Sequence, residues 1–377
     1  MRLLVTGGNG FLGWHLRCLA LSRGIETIVA DRDDFTDPAR LAALFPGIDG
    51  IVHAAGVNRG SDDEVSIGNP RLAKVLVQAL ELAEAGPPVA YADSIQSAGD
   101  SVYGVAKRRA AEILEAWSQQ SGASFSRLIL PNLFGEHGRP DYNSFVATFC
   151  HQVASGQVPE VSQDREIPLL HVQTAAAALL DAVTSRAGQS REVPGDPIKI
   201  SQVRDLLQEF GATYATGEIP DISTPFRLAM FNSLRSQLFP AVYPIKPDKH
   251  SDQRGELFEA VRSGGSQGQV FVSTTVPGAT RGEHFHLRKV ERFLVIEGRA
   301  EIVLRRLFSS ETVRFEVTGQ SPAIIDMPTM WVHRLTNISS EPVTTLFWVN
   351  EMYDPQDTDT FARPTDGSET NGSQDVA

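Results

Sequence analysis

The stretch Leu3–Leu16, LLVTGGNGFLGWHL, decides the fold of the first part of the chain. An apolar run leads into glycines at positions 7, 10 and 13, and a helix-like segment follows. Glycines between a strand and a helix allow a tight turn, close approach of backbone to a pyrophosphate, and close helix–strand packing. The helix N-terminus then turns N–H groups toward the phosphates. Gly7, Gly10, Phe11, Leu12 and Gly13 therefore form a candidate dinucleotide site.

Downstream, ETIVAD, GIVHAAG, PVAYADS and FSRLILP alternate with longer amphipathic stretches. That alternation predicts an α/β fold, a Rossmann-type doubly wound parallel sheet with helices on both faces. Asp31 ends the second apolar run, where an acid holds an adenosine ribose 2′-hydroxyl. Arg32 follows at once and suits a 2′-phosphate, so NAD(H) and NADP(H) both stay open. Tyr103 and Lys107, in SVYGVAKRRAAEIL, stand four apart on one face of a helix. An ammonium beside a phenol favours the phenolate, which makes Tyr103 a competent proton donor when hydride reaches a ketone. Ser94 ends the preceding strand and is placed to bond the substrate oxygen.

The texture changes toward the C-terminus. Pro240, Pro244 and Pro247 punctuate a linker, and from roughly residue 248 short strands follow at close spacing without a long helix. This predicts an all-β sandwich or barrel of the jelly-roll kind. His284 and His286 alternate with Phe285, so on a strand both rings share a face. With Glu291 and His333 they make a donor set for a divalent first-row metal, taken as zinc, with iron and nickel compatible. The expected domains are 1–243, 244–362 and a disordered polar tail, 363–377.

Bulk properties limit the remaining classes. The 377 residues are 41% hydrophobic and 21% charged, with a formal charge of −12, which argues against broad nucleic-acid binding. Two isolated cysteines, Cys18 and Cys150, suit a reducing compartment, and no run is long and apolar enough to span a membrane. A cytoplasmic location is expected.

TGGNGFLG, YGVAK and the strand-end serine resemble the extended short-chain dehydrogenase/reductase family, which works largely on nucleotide sugars. HAAGVNR (53–59) and PNLFGEHGRPDYNSFVATF (131–149) are similar to further segments of it. The resemblance implies cofactor contacts at Ala55, Gly56, Tyr103 and Lys107, and substrate contacts at Asn58, Asn132 and Asn143. Arg59 and Arg165 are candidates for a diphosphate, because a guanidinium matches phosphate oxygens in pairs. Gln173 stands where many relatives have aspartate, which reads as a surface or packing change.

The spacing His284, His286, Glu291, Gly298, then Pro328, His333, Asn337 is similar to the two cupin motifs, although Met330 replaces the usual glycine before the last histidine. A reductase followed by a cupin resembles the bifunctional enzymes of capsular-polysaccharide and L-fucosamine precursor synthesis. That resemblance implies a homodimer acting on a UDP-2-acetamido-2,6-dideoxy-4-hexulose. The cupin would invert C3 and the reductase domain would reduce the C4 ketone, giving a UDP-N-acetyl-6-deoxy-talosamine. The cupin base is not identified by the sequence; Lys289 and Tyr353 are candidates, each more readily read as solvent-exposed or structural. Two alternatives are a C4 reductase with a structural or dimerising cupin, and a dinucleotide or sugar sensor without turnover.

Overall fold

The computed structural model describes residues 1–265 and 267–368. The chain divides into two compact units, one of Met1–Phe145 with Gln163–Ile200, the other of Val146–Ser162 with the chain from Ser201 onward.

The first unit opens with β1 (Arg2–Thr6), α1 (Phe11–Ser22), β2 (Glu26–Ala30), α2 (Pro38–Ala42), β3 (Gly50–His53), α3 (Asp62–Leu82), β4 (Val89–Ser94), α4 (Val102–Ser121) and β5 (Phe125–Leu130). It continues through β6 (Asn132–Phe134) and, after α5 (Phe145–Ala154) of the other unit, β7 (Glu166–His171), α6 (Val172–Ser185), β8 (Ser190–Glu192) and β9 (Asp196–Lys199). The main sheet runs β2-β1-β3-β4-β5-β8 with every pairing parallel, and β6-β7-β9 form a small second sheet. Leu3, Leu4, Val5, Ile51, Val52, Val89 and Ala90 are buried, as strands covered on both faces require.

Local chemistry fixes the two helices beside this core. Ser61 starts α3 with a capping box, its Oγ accepting the Glu64 N–H at 3.2 Å while the Glu64 carboxylate accepts the Ser61 N–H at 2.7 Å. Ser101 caps α4 through the Gly104 N–H at 3.0 Å, and Gly122 ends it at φ +75°. The chain leaves β1 to one side for β2 and returns to the other side for β3. The carboxyl ends of β1 and β3 thus flank the crevice where open α/β sheets bind ligands.

The second unit carries α5, α7 (Ile200–Ala215), α8 (Pro225–Leu238) and a hairpin of β10 (Lys249–Asp252) and β11 (Gly255–Phe258). Its barrel strands are β12 (Gln269–Thr275), β13 (Thr280–Phe285), β14 (Glu291–Glu297), β15 (Arg299–Arg306), β16 (Thr312–Thr318), β17 (Ile324–Met327), β18 (Trp331–Asn337), β19 (Val343–Val349) and β20 (Phe361–Ala362). Two antiparallel sheets result, β12-β19-β14-β17 and β16-β15-β18-β13-β20, the all-β architecture expected.

Two boundaries differ from the sequence reading. The expected cut at 243/244 separates residues that the fold keeps in one unit. Asp326 on β17 is buried and pairs with Arg292 of β14 at 2.7 and 2.9 Å. It also accepts the Tyr214 hydroxyl of α7 at 2.6 Å, Tyr214 bonds Tyr243, and Arg235 of α8 donates to the Met327 carbonyl at 2.6 Å. A buried charge needs such partners, and residues ahead of 244 supply them.

The expected tail also begins as ordered structure. The Arg363 N–H donates to the Glu283 carbonyl at 2.7 Å, and Arg305 donates to the carbonyls of Pro364 at 3.0 Å and Thr365 at 2.8 Å. The rest of that expected tail, residues 369–377, lies outside the described residues. Among those described, no helix is long and apolar enough to cross a membrane.

Candidate functional site

The glycine turn has the shape its spacing predicts. Gly7 sits at φ +69°, and a Cβ there would lie 2.8 Å from the Ala55 backbone at the end of β3. A Cβ on Gly13 would lie 2.2 Å from the Gly7 carbonyl, so α1 packs closely on the turn only without one. The Gly10 N–H turns inward to Gly7 O at 2.9 Å, and α1, with Phe11 and Leu12 in its first turn, has no side-chain cap. A cradle that side chains would fill, at the mouth of a parallel sheet, fits a dinucleotide pyrophosphate. Ala55 N–H donates to Thr6 Oγ1 at 3.2 Å, and Gly56 beyond it is exposed. Asp31 and Arg32 stand together, both exposed, with the Asp31 carboxylate accepting the Asp33 N–H at 2.9 Å.

Ser94 closes β4, its Oγ accepting the Gln96 N–H at 3.2 Å. A Cβ on Gly104 would lie 2.1 Å from the Gln96 carbonyl, so the first turn of α4, bearing Tyr103, presses on the turn that follows Ser94. Lys107, one turn on, is buried and donates to the Ala92 carbonyl at 2.5 Å, its Nζ 4.1 Å from the centre of the Tyr91 ring.

The electrostatics correct one expectation. In this pocket Tyr103 is, on balance, harder and not easier to ionise. Burial, and then the carboxylate of Asp93, push the phenol up to about 12. Burial brings Lys107 down to about 8, with Asp93 opposing and Arg127 assisting. Asp93 was not singled out in the sequence. It is buried, pairs with Arg127 at 2.7 Å and accepts the Ser97 hydroxyl at 2.9 Å. A tyrosine kept protonated in this way is in the form a proton donor needs.

The expected substrate residues are partly brought together. Arg59 donates to Asn143 Oδ1 at 3.0 Å, to the Asp141 carbonyl at 3.1 Å and to the Tyr142 carbonyl, while the Tyr142 hydroxyl donates to Asn58 Oδ1 at 3.1 Å. Asn58, Arg59 and Asn143 thus clasp one exposed loop. Asn132 and Arg165 do not join this cluster: Asn132 reaches the Pro168 carbonyl at 3.4 Å, and Arg165 is exposed. Gln173 places its amide nitrogen 3.1 Å from Nδ1 of the buried His15, a packing role.

In the second unit, β13 and the turn after it carry His284 and His286, β14 opens with Glu291, and β18 carries His333. One ligand atom from each of the four lies within 4.8 Å of the others. Glu291 Oε2 is 3.0 Å from His286 Nε2 and 3.1 Å from His333 Nε2, which is 3.1 Å from His284 Nε2. Burial, and then His333 and His286, hold His284 down at about 3, so it is neutral near pH 7. Burial opposes the Glu291 charge, yet the imidazoles outweigh it and keep this carboxyl well below its ordinary range. A carboxylate and three imidazoles aimed at one point make a donor set that fits a divalent cation.

Three observations refine the motif reading. Met330 adopts φ +61°, the conformation of the glycine it replaces, and donates its N–H to the His286 carbonyl at 2.7 Å. Gly278, six residues ahead of His284, completes the first motif and escaped the sequence reading; its N–H donates to the Asn337 carbonyl at 3.1 Å. Lys289 is committed to the Thr358 carbonyl and Thr360 Oγ1, and Tyr353 is 68% exposed.

Comparison with known proteins agrees with this two-part layout. The NAD dependent epimerase/dehydratase family matches residues 3–193, and the polysaccharide biosynthesis C-terminal domain matches residues 250–361. UDP-2-acetamido-2,6-beta-L-arabino-hexul-4-ose reductase of Pseudomonas aeruginosa is 32% identical over 368 residues, covering 96% of this chain and 98% of that protein. The crystal structure of capsular polysaccharide assembling protein CapF from Staphylococcus aureus is similar at 26% identity and a TM-score of 0.58, with 97% of this chain and 100% of that chain covered. UDP-N-acetylglucosamine 4-epimerase from Bacillus cereus shares the fold at 19% identity and a TM-score of 0.50, over 56% of this chain and 82% of its own. With a match that runs through both the glycine turn and α4, the chain belongs to the NAD dependent epimerase/dehydratase family.

Proposed function

We propose that the protein is a nucleotide-sugar 4-ketoreductase whose second unit inverts C3 of the same substrate, a UDP-2-acetamido-2,6-dideoxy-4-hexulose. The product is then a UDP-N-acetyl-6-deoxy-talosamine for capsule or O-antigen synthesis. The observation that carries the reduction is the pressing of α4, with Tyr103 and Lys107, onto the turn after Ser94, at the same carboxyl-end edge of the parallel sheet as the glycine cradle. The cradle of Gly7, Gly10 and Gly13 would hold a reduced nicotinamide dinucleotide, which would supply the hydride for C4. Tyr103 delivers its phenolic proton to the C4 oxygen, Ser94 hydrogen-bonds that oxygen, and the Lys107 ammonium favours the charge left on the phenol. Arg59, Arg165, Asn58, Asn132 and Asn143 are assigned to the UDP-sugar.

The inversion is assigned to the four donors of the barrel. A C3 proton is acidified by the neighbouring C4 ketone, and a divalent cation, which His284, His286, Glu291 and His333 would hold, would supply positive charge against the charge that develops as that proton leaves. Reduction then removes the ketone that inversion requires, which makes the inverted centre permanent.

The test uses the full chain, the UDP-4-keto sugar and D2O, without reduced nicotinamide. Deuterium entering C3 in the wild type, but not in His286→Ala, supports inversion at this centre. The same donors draw β13, β14 and β18 together, so a structural cation is the second reading. Reduction without any exchange selects that reading.

A further inference from the structure

The segment after β19 returns to the cation centre, and Asp359 is where it does so. Asp359 is 2% exposed and takes φ +42°, a conformation a non-glycine residue keeps only where its surroundings hold it. Its carboxylate accepts three consecutive N–H groups, Leu287 at 3.0 Å and Arg288 and Lys289 at 2.9 Å. Those residues form the turn between His286 and Glu291. Its backbone carbonyl lies 2.6 Å from His286 Nδ1. A carbonyl can only accept, so Nδ1 carries a proton and Nε2 is the atom left to face Glu291 and the other rings. Three residues on, Ala362 of β20 pairs with His284 itself.

We propose that Asp359 is a positioning residue of the cation centre, setting the tautomer and orientation of His286 and the path of the turn leading to Glu291. This rests on the reading of His284, His286, Glu291 and His333 as ligands. A partner on the outer nitrogen of a metal-binding histidine fixes the ring and raises its basicity, and its loss typically weakens metal affinity about 10–100-fold. Here one residue supplies that partner from its backbone and orders the adjoining turn with its side chain. The segment from Asp359 to β20 is then part of the centre, although none of its residues offers the cation a ligand.

The experiment measures zinc affinity of the purified full chain by competition with a chromophoric chelator, and records the visible spectrum of the cobalt(II)-loaded protein. Asp359→Asn keeps the shape but places an NH2 group against backbone donors. It is expected to weaken zinc binding about 10–100-fold and to shift the cobalt bands. Arg305→Met, which loosens the anchor at Pro364 and Thr365 without touching Asp359, is expected to leave both readouts unchanged. Equal affinity and spectrum in Asp359→Asn overturn the inference while leaving the ligand reading intact. An equal loss in Arg305→Met overturns it as well, because the segment then acts only through general stability. A wild type that binds no zinc overturns the ligand reading and this inference with it. Should Asp359→Asn not fold, nitrogen NMR of zinc-loaded wild type decides: a proton on His286 Nδ1 is expected, and zinc on Nδ1 overturns the proposal.

Discussion

At the residue scale, Asp93 separates what the sequence reading captured from what it missed. The placing of Tyr103 and Lys107 one turn apart on α4 was legible because that spacing is a property of one helix. Asp93 was not, because its influence comes through space, from the strand ending at Ser94. Lys107 stays charged below about pH 8 and loses its proton as pH rises through that value. The rate of ketone reduction is therefore expected to fall on an alkaline limb near pH 8 when kcat/KM is followed against pH. The Asp93 carboxylate raises Lys107, so Asp93→Asn should move that limb to lower pH. A limb that stays in place would remove Asp93 from the electrostatics of the site.

At the element scale, α4 shows how a motif is built by packing. The contact between Gly104 and the Gln96 carbonyl leaves no room for a methyl group. Gly104→Ala must displace the first turn of α4, and overpacking of this kind costs about 1–3 kcal/mol. Denaturant unfolding should register that loss, and kcat for reduction should drop about 100-fold, as small misplacements of reacting groups do. Wild-type kcat in a destabilised protein would show that the position of Tyr103 is not set there. In the barrel, the pairing of His284 with His286 was legible as a local spacing, although His286 falls just past the end of β13. The fate of Met330 was not, since only tertiary context holds its backbone at φ +61°. The same holds for the clasp of Arg59 on residues 141–143, a pairing between segments far apart in sequence.

At the scale of the whole molecule, both fold classes were legible from residue texture, yet the place where one unit gives way to the other was not. Proline clusters mark where a chain turns, but the grouping of helices follows from buried partners. Arg292 and Asp326 are almost fully buried, and removing one partner of such a pair typically costs about 3–5 kcal/mol. Asp326→Ala should lower the unfolding free energy by that amount in urea. A change below about 1 kcal/mol would mean that water reaches Arg292 in the variant. The network has a further consequence for how such a chain arises and can be rearranged. Because α5, α7 and α8 belong with the barrel while the segment from Gln163 to Ile200 belongs with the sheet, the backbone passes between units more than once. Recombination at one point, whether in evolution or at the bench, cannot exchange the barrel cleanly. A graft taken from residue 244 onward would bring Asp326 and Arg292 but leave behind Tyr214, Arg235 and Tyr243, so the donor helices must travel with the acceptor strands.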